Sequence, residues 1–196
     1  MAPAGKGGTV TSSVDFLSHS ATRLAANGFT AERGAAFPLS GLSADIFSRK
    51  SGRSFWVFFP YDDYWFFHDF TGREKETHGE LEELHEKARS YVNSLYRFPR
   101  WMRYRVPNVS TVAVSGSGFG IDCERYVHSI RRPALGGEIH SVFLVDLQNR
   151  RMVSTGLELT ATQMIAITFK QVNPHNRAHG LLMEICAGFF DGRTAG

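Results

Sequence analysis

Two runs of aromatic and β-branched residues lie close together within residues 44–60 and are separated by a short polar break. The break, residues 50–53, contains a glycine, and the apolar run 55–59 follows it. Two such runs around a glycine-containing segment are typical of a β-hairpin, so we predict the turn at the break. The second run is apolar without alternation, which is typical of a strand covered on both faces. We therefore expect residues 55–59 to form a central strand that the rest of the chain covers.

The rest of the chain alternates between helical and strand patterns. An amphipathic helix begins near Ser12 or Ser13 and ends at Gly28, because glycine is the common residue at a helix stop. The further predictions, in chain order, are a strand over 29–33, a loop over 35–43, the hairpin, a turn at 61–64 with a short strand after it, a charged helix from Glu80, a strand over 109–115, a helix over 121–130, a buried strand over 139–147, a short strand over 152–154 and helices over about 157–190. Such alternation indicates an α/β fold with a mixed central β-sheet flanked by helices, followed by C-terminal helices.

The length and composition favour one domain. The chain has 196 residues, of which 42% are hydrophobic and 21% charged, enough for a single core. We expect a flexible tail over 1–12, a single α/β domain over 13–190 and a second tail over 191–196. Within the domain, the α/β core ends near residue 155 and the helical part covers about 157–190.

The sequence contains neither of the two signals that would direct a protein to a membrane. No stretch resembles a signal peptide, and no apolar run approaches the length of a membrane helix, about 18 residues, so no membrane partner is expected. Cys123 and Cys186 fit no zinc or redox spacing. We expect both to be reduced core thiols in a cytoplasmic protein.

Four short motifs punctuate the predicted elements. The first helix ends in the Asn-Gly-Phe step 27–29, and the first hairpin arm carries Asp45. The second arm ends in residues 57–60, and the loop 114–119 reads Val-Ser-Gly-Ser-Gly-Phe. In this order, the motifs resemble those of the restriction-endonuclease-like fold, the PD-(D/E)xK nuclease superfamily. The similarity covers roughly residues 13–150.

The resemblance implies where a nuclease site would lie. The chemistry of that family needs an Asp and a Glu to hold Mg²⁺ and a Lys to polarise water or phosphate. Asp45 matches the first carboxylate, but Phe58 and Pro60 occupy the Glu and Lys positions. The resemblance therefore implies an inactive member without a metal or other cofactor. The alternative is an Mg²⁺-dependent nuclease with a relocated site that combines Asp45 with Asp62 or Asp63.

The segment 97–105 is the most basic part of the chain and is interleaved with aromatic residues. Guanidiniums neutralise phosphates and aromatic rings stack on bases, so the segment is a candidate site for DNA or RNA. The candidate contacts are Arg97, Arg100, Trp101, Arg103 and Arg105. A solvated connection between a helix and a strand is the competing explanation, and the net charge of +3 does not decide between them.

A second candidate surface is the run 61–70, which contains six aromatic and three acidic residues. Core packing explains part of this run, and an aromatic surface that binds a protein partner is the competing explanation. The leading hypothesis is a non-catalytic nuclease-fold protein that binds nucleic acid or assembles in a nucleic-acid-associated complex. The alternative from another class is a structural or scaffolding subunit of a homo- or hetero-oligomer.

Two weaker signals remain. His175 and His179 are spaced to share one helix face, as in half of a metal site, but we expect ordinary surface histidines and no metal. The Ser-Gly-Ser-Gly stretch 115–118 lacks the pattern of a phosphate-binding loop, so we expect a strand-to-helix turn with Ser117 near the helix cap.

Overall fold

A computed structural model of the chain describes residues 12–53, 60–73, 77–99, 102–130, 138–155, 157–160 and 174–192. In chain order, its elements are α1 (Ser13–Ala26), β1 (Thr30–Phe37), β2 (Leu42–Arg53), β3 (Pro60–Asp69), α2 (Thr77–Ser94), β4 (Val106–Ser115), α3 (Ile121–Ser129), β5 (Ile139–Asp146), β6 (Arg151–Ser154), β7 (Leu157–Thr160) and α4 (Pro174–Asp191). The predicted class, an α/β fold with a mixed sheet flanked by helices, is confirmed.

Within the described residues, seven strands form one sheet in which spatial order follows chain order, from β1 to β7. The pairs β3–β4 and β4–β5 are parallel, and the other four pairs are antiparallel. Two parallel strands need a crossover connection, and α2 and α3 lie within these two connections. Among the first five strands, β2 alone therefore runs against the others.

Helices cover both faces of the sheet, which gives three layers. On one face, α1 and α4 pack against side chains from β2 to β6, and on the other α2 and α3 do so. The first core contains Phe16, Leu24, Trp65, Phe67, Phe143 and Phe190. The second contains Phe66, Leu81, Val92, Val109, Val127 and Leu144. A sheet covered in this way needs central strands that are apolar on both sides, as β3, β4 and β5 are.

Several local predictions are confirmed. Helix α1 ends where expected, and Gly28 has φ +81°, the left-handed conformation that glycine adopts most readily. Both cysteines are buried, as expected for core thiols, and burial raises the pKa of the Cys186 thiol. Within the described residues, no helix has the length and hydrophobicity that a membrane span requires.

The prediction of a turn at residues 50–53 is wrong. These residues lie in β2 and pair with β3 over residues 60–63, with Gly52 opposite Tyr61. A Cβ on Gly52 would lie 2.3 Å from the Tyr61 Oη, so the glycine makes room for a side chain rather than forming a turn. The predicted central strand 55–59 lies outside the described residues.

The prediction of a turn at residues 61–64 is also wrong, because β3 is continuous through them. Acidic residues favour turns, but here Asp62 and Asp63 are buried and hydrogen-bonded. Strand β3 therefore has the central position that we expected for residues 55–59.

Two further boundaries differ from the predictions. Strand β1 extends to Phe37, so the expected loop over 35–43 shrinks to a turn over 38–41. Residues 157–160 pair with β6 as strand β7, so the helical part does not begin at 157. Residues 161–173 of the predicted helical part lie outside the described residues, and the final helix is confirmed as α4.

Two histidines are buried among apolar side chains on the α2 face. His85 lies 2.9 Å through Nδ1 from the Thr111 Oγ1 and 3.1 Å through Nε2 from the His140 Nδ1. Burial, with smaller effects from His140 and Arg89, lowers the pKa of His85 to about 3. Burial lowers the pKa of His68 to about 4. Both side chains are therefore neutral in the folded protein near pH 7.

Replacement of Gly52 by Ala is expected to lower the free energy of unfolding by about 1–3 kcal/mol, because the new methyl group overlaps the buried Tyr61 ring. Urea unfolding measures the change. The control is Gly79→Ala, since a Cβ on Gly79 in α2 meets nothing within 4 Å. There we expect no loss, or a gain of about 0.5–1 kcal/mol from helix propensity. Equal stability of Gly52→Ala and the parent would contradict the register of β2 and β3.

Stability should fall as the pH drops below 6.5, because the unfolded chain then binds protons at His68 and His85 while the folded protein does not. Each histidine contributes up to about 1.4 kcal/mol per pH unit, until the pH reaches its folded pKa. His68→Gln should therefore reduce the dependence of unfolding free energy on pH between 6.5 and 4. The control Ser129→Gln changes an exposed residue that has no titratable group and should leave that dependence unchanged. An unchanged slope in His68→Gln would show that His68 titrates normally.

Candidate nucleic-acid interface

An open pocket of about 500 Å³ lies where β2 ends and β3 begins, beside the end of α2. Its lining residues are Arg49, Asp62, Tyr64, Leu95, Tyr96, Arg97, Phe98 and Arg105. We call it the arginine–tyrosine pocket. It combines three cations, one carboxylate and an aromatic wall, and its volume lies within the range of pockets that hold small ligands.

The three arginines of the pocket come from β2 and from the two ends of the segment between α2 and β4. Arg49 belongs to β2 and lies over the Tyr64 ring at 5.5 Å from the ring centroid. Arg97 is exposed in the segment after α2, and Arg105 precedes β4. Against one carboxylate, three guanidiniums leave a local excess of positive charge that attracts anions.

The Asp62 carboxylate at the base of the pocket organises its neighbours. Its Oδ1 accepts hydrogen bonds from the Ser51 hydroxyl and from the Arg105 guanidinium, the latter at 3.1 Å. Its Oδ2 accepts one from the Tyr96 hydroxyl at 2.8 Å. Burial raises the pKa of Tyr96, and its hydrogen bonds to Tyr64 and Asp62 raise it further. Asp62 thus positions one cation and one ring and is not exposed as a ligand itself.

Asp63 points to the opposite face of β3, toward α4. It accepts hydrogen bonds from the Asn108 amide at 2.9 Å and from the Arg177 guanidinium at 3.4 Å. Burial raises the pKa of Asp63, while Asn108, Arg177 and Lys50 oppose that rise. This carboxylate therefore joins α4 to the sheet.

Asp45 lies at the other end of the hairpin from this pocket. Its Oδ2 accepts a hydrogen bond from the backbone N–H of Asp69 at 2.7 Å. Asp62 is seven residues back along β3 from Asp69, which at about 3.3 Å per residue is about 23 Å. Asp45 therefore cannot share a metal ion with Asp62 or Asp63, so the combination required by the nuclease alternative is not formed.

The second carboxylate near Asp45 is Asp69, which the sequence did not single out. Its carboxylate accepts hydrogen bonds from the Ser13 hydroxyl at 2.6 Å and from the Thr71 N–H at 2.9 Å. Across the described residues, no group of three or more His, Cys, Asp or Glu side chains is placed to hold a metal ion. Asp45 and Asp69 are thus held by hydrogen bonds to neighbouring groups, and the bond from Ser13 to Asp69 joins α1 to the end of β3.

The candidate contacts of the basic segment fall into three groups. Arg97 and Arg105 line the arginine–tyrosine pocket. Arg103 lies over the Tyr96 ring at 4.8 Å and donates to the Asn93 Oδ1 at 2.6 Å, so it supports the pocket. Arg100 and Trp101 lie outside the described residues.

Five of the eight lining residues were not singled out from the sequence: Arg49, Tyr64, Leu95, Tyr96 and Phe98. Arg49 and Tyr64 are cross-strand partners in the pairing of β2 with β3. Phe47, Arg49 and Ser51 are every second residue and so share one face of β2. This pattern could have predicted the place of Arg49, but the wrong prediction of a turn at 50–53 ended the strand too early.

Large exposed apolar side chains concentrate beside the pocket. In the segment between α2 and β4, Leu95, Phe98, Met102 and Tyr104 are 45–70% exposed. The run 61–70, considered as an aromatic partner surface, is by contrast buried within the chain, because its rings fill both cores. The prediction of an aromatic partner surface at 61–70 is therefore wrong. Assembly of the chain with itself or with another protein stays a prediction.

The two weaker signals are structural. His179 is buried with its Nε2 2.8 Å from the Ser154 Oγ, so the expectation of a surface histidine is wrong, and the His175 side chain lies outside the described ones. The strand-to-helix turn at 115–118 is confirmed, and the Ser115 Oγ closes it by donating to the Gly118 carbonyl. The N-cap of α3 is Gly120, three residues beyond Ser117.

Comparison with known proteins adds no relative. No protein-family model matches this chain, and no curated protein or solved structure matches it either. Conclusions on function therefore rest on the chemistry of the pocket.

Replacement of Asp62 by Asn should lower the free energy of unfolding by about 1–3 kcal/mol, because Arg105 loses its charged partner and one buried hydrogen bond is mismatched. The measurement is urea unfolding. The control, Asp122→Asn, breaks an exposed pair with Arg125 and should change stability by less than about 1 kcal/mol. If both variants lose equally little, Asp62 does not hold the pocket together.

Proposed function

We propose that this chain is a catalytically inactive, restriction-endonuclease-like domain that binds nucleic acid through the arginine–tyrosine pocket. The observation that carries the proposal is the convergence of Arg49, Arg97 and Arg105 on one open pocket with exposed apolar side chains at its side. Nucleic acids offer phosphates and flat bases together, and the pocket offers guanidiniums and rings together.

The guanidiniums are the part that favours a phosphate ligand. Each presents several N–H donors in a planar fork that matches phosphate oxygens. Arg105 is held by Asp62, and Arg49 by the Tyr64 ring, so neither loses much side-chain freedom on binding. Such preorganisation supports a binding role, because less conformational entropy is lost when the ligand arrives.

The order of the elements supports the proposed fold family. From α1 to β5 it is helix, three strands, helix, strand, helix and strand, as the resemblance implied. The residue of the second hairpin arm that lies beside Asp45 is Asp69, whose N–H donates to Asp45, and not the Phe58 that the resemblance implied. Two residues beyond Asp69, where the motif of that family has its Lys, the chain has Thr71, which carries no ammonium, and this supports an inactive domain.

A scaffolding role is the second candidate, and one observation favours it. Phe98 and Tyr104 are 62% and 70% exposed, and exposed aromatic residues also serve as anchors of protein interfaces. The two roles differ in salt dependence, because phosphate contacts release counterions and apolar contacts do not.

Fluorescence anisotropy of labelled DNA and RNA, at low and moderate salt and with and without Mg²⁺, tests the proposal. We expect binding that weakens with salt and no cleavage of the strand. Arg97→Ala should weaken binding about fivefold to tenfold and reduce the slope of log affinity against log salt by about 1.

The matched control is Arg125→Ala, which removes an exposed arginine of α3 that lies outside the pocket. It should leave the affinity within about twofold of the parent. If Arg97→Ala and Arg125→Ala have equal effects, the pocket is not the binding site. Cleavage that depends on Mg²⁺ would contradict the inactive assignment, and absence of any binding would favour the scaffolding role.

A further inference from the structure

The walls and the charges of the arginine–tyrosine pocket point to one form of nucleic acid, an inference that rests on the proposed function. We infer that the pocket takes one unpaired base of a single strand, with the base inside and its phosphates at the arginines. The protein would then bind single strands and strand ends in preference to a blunt duplex.

The shape of the site is the first argument. The site is a pocket of about 500 Å³ and not a flat surface. A base within a duplex is paired and stacked on both sides, so it enters a pocket only after costly extrusion. A base of a single strand is free to turn out of its stack.

The walls of the pocket are the second argument. Phe98 is 62% exposed and Leu95 45% exposed, which gives an apolar surface that water reaches in the free protein. Tyr96 lies beside them, held by its hydrogen bond to Asp62. Each base has an apolar π-face, so such walls accept any base, and stacking contributes about 1–3 kcal/mol per base.

The position of the negative charge is the third argument, because it orients the ligand. Asp62 lies at the base of the pocket, and its field disfavours a phosphate there. Arg97 and Arg49 are exposed and favour phosphates farther out. An uncharged base inside with phosphates outside satisfies both conditions, whereas a phosphate bound inside would face the buried carboxylate.

Arg49 comes from β2, and Arg97 and Arg105 come from opposite ends of the segment between α2 and β4. Cations at three separate positions in the pocket lining suit a backbone that continues on both sides of a turned-out base. A single strand therefore matches the pocket better than a free base, which has no phosphate, or a duplex, which has no unpaired base.

The test compares three labelled probes in one anisotropy experiment: a single strand, the blunt duplex of the same sequence, and the same single strand with abasic residues. The abasic strand keeps every phosphate and removes the bases. We expect the intact single strand to bind about tenfold tighter than either of the other two.

Phe98→Ala separates stacking from charge. On the intact single strand, we expect about a tenfold loss of affinity with an unchanged slope of log affinity against log salt. The abasic strand should bind the variant and the parent equally. The control Leu39→Ala removes a fully exposed apolar side chain in the turn between β1 and β2 and should leave the affinity for all three probes unchanged.

Two results would overturn the inference. One is equal affinity of the parent for the single strand, the duplex and the abasic strand, a comparison that needs no variant. The other is an unchanged affinity of Phe98→Ala for the intact strand. If either occurs while Arg97→Ala still weakens binding, the proposed function stands and only the unpaired-base inference fails. If the parent binds no probe at all, both fail together.

Discussion

Asp62 and Asp63 are neighbouring carboxylates that lie buried on opposite faces of the central strand β3. A buried charge is tolerated only when it is paired and hydrogen-bonded. Asp62 meets that need with Arg105, which precedes β4, and Asp63 meets it with Arg177 in α4. Each carboxylate thus joins β3 to a different part of the chain, one on each side of the sheet.

The same constraint creates the candidate site. Because Asp62 holds Arg105 and Tyr96 in place, a cation and a ring stand side by side at one end of the sheet. Arg49 and Arg97 add charge, and the described lining of the pocket contains no carboxylate besides Asp62. At the other end of β3, the Asp69 carboxylate is bound by local hydrogen bonds. The surplus of positive charge therefore lies at the opposite end from Asp45, the position at which the resemblance placed a remnant of a nuclease site.

The sequence predicted those parts of the fold that depend on local patterns. Periodicity and a glycine stop were enough for α1, and continuous apolar residues were enough for β5. The prediction of a turn at 50–53 was wrong because glycine is common in turns, whereas Gly52 is needed to make room for Tyr61 on the paired strand. The buried position of Asp63 was not predicted because its partner Arg177 lies 114 residues away in the sequence, beyond the reach of any local pattern.

The candidate site was predictable to the same extent. Arg97 and Arg105 stand in one basic segment, so composition alone pointed to them. Arg49 reaches the pocket only through the register of β2 with β3, which places it opposite Tyr64. Sequence reasoning therefore found the cations that are close together along the chain and missed the one that folding brings to them.

NMR of the arginine side-chain Nε–Hε groups can test whether the surplus arginines of this pocket bind nucleic acid. We expect a short single-stranded oligonucleotide to shift the signals of Arg49, Arg97 and Arg105. The signals of Arg33 in β1 and Arg125 in α3 should stay in place. Shifts confined to residues near Asp45 and Asp69, or no shift of the three pocket arginines at saturating oligonucleotide, would show that the pocket does not bind nucleic acid.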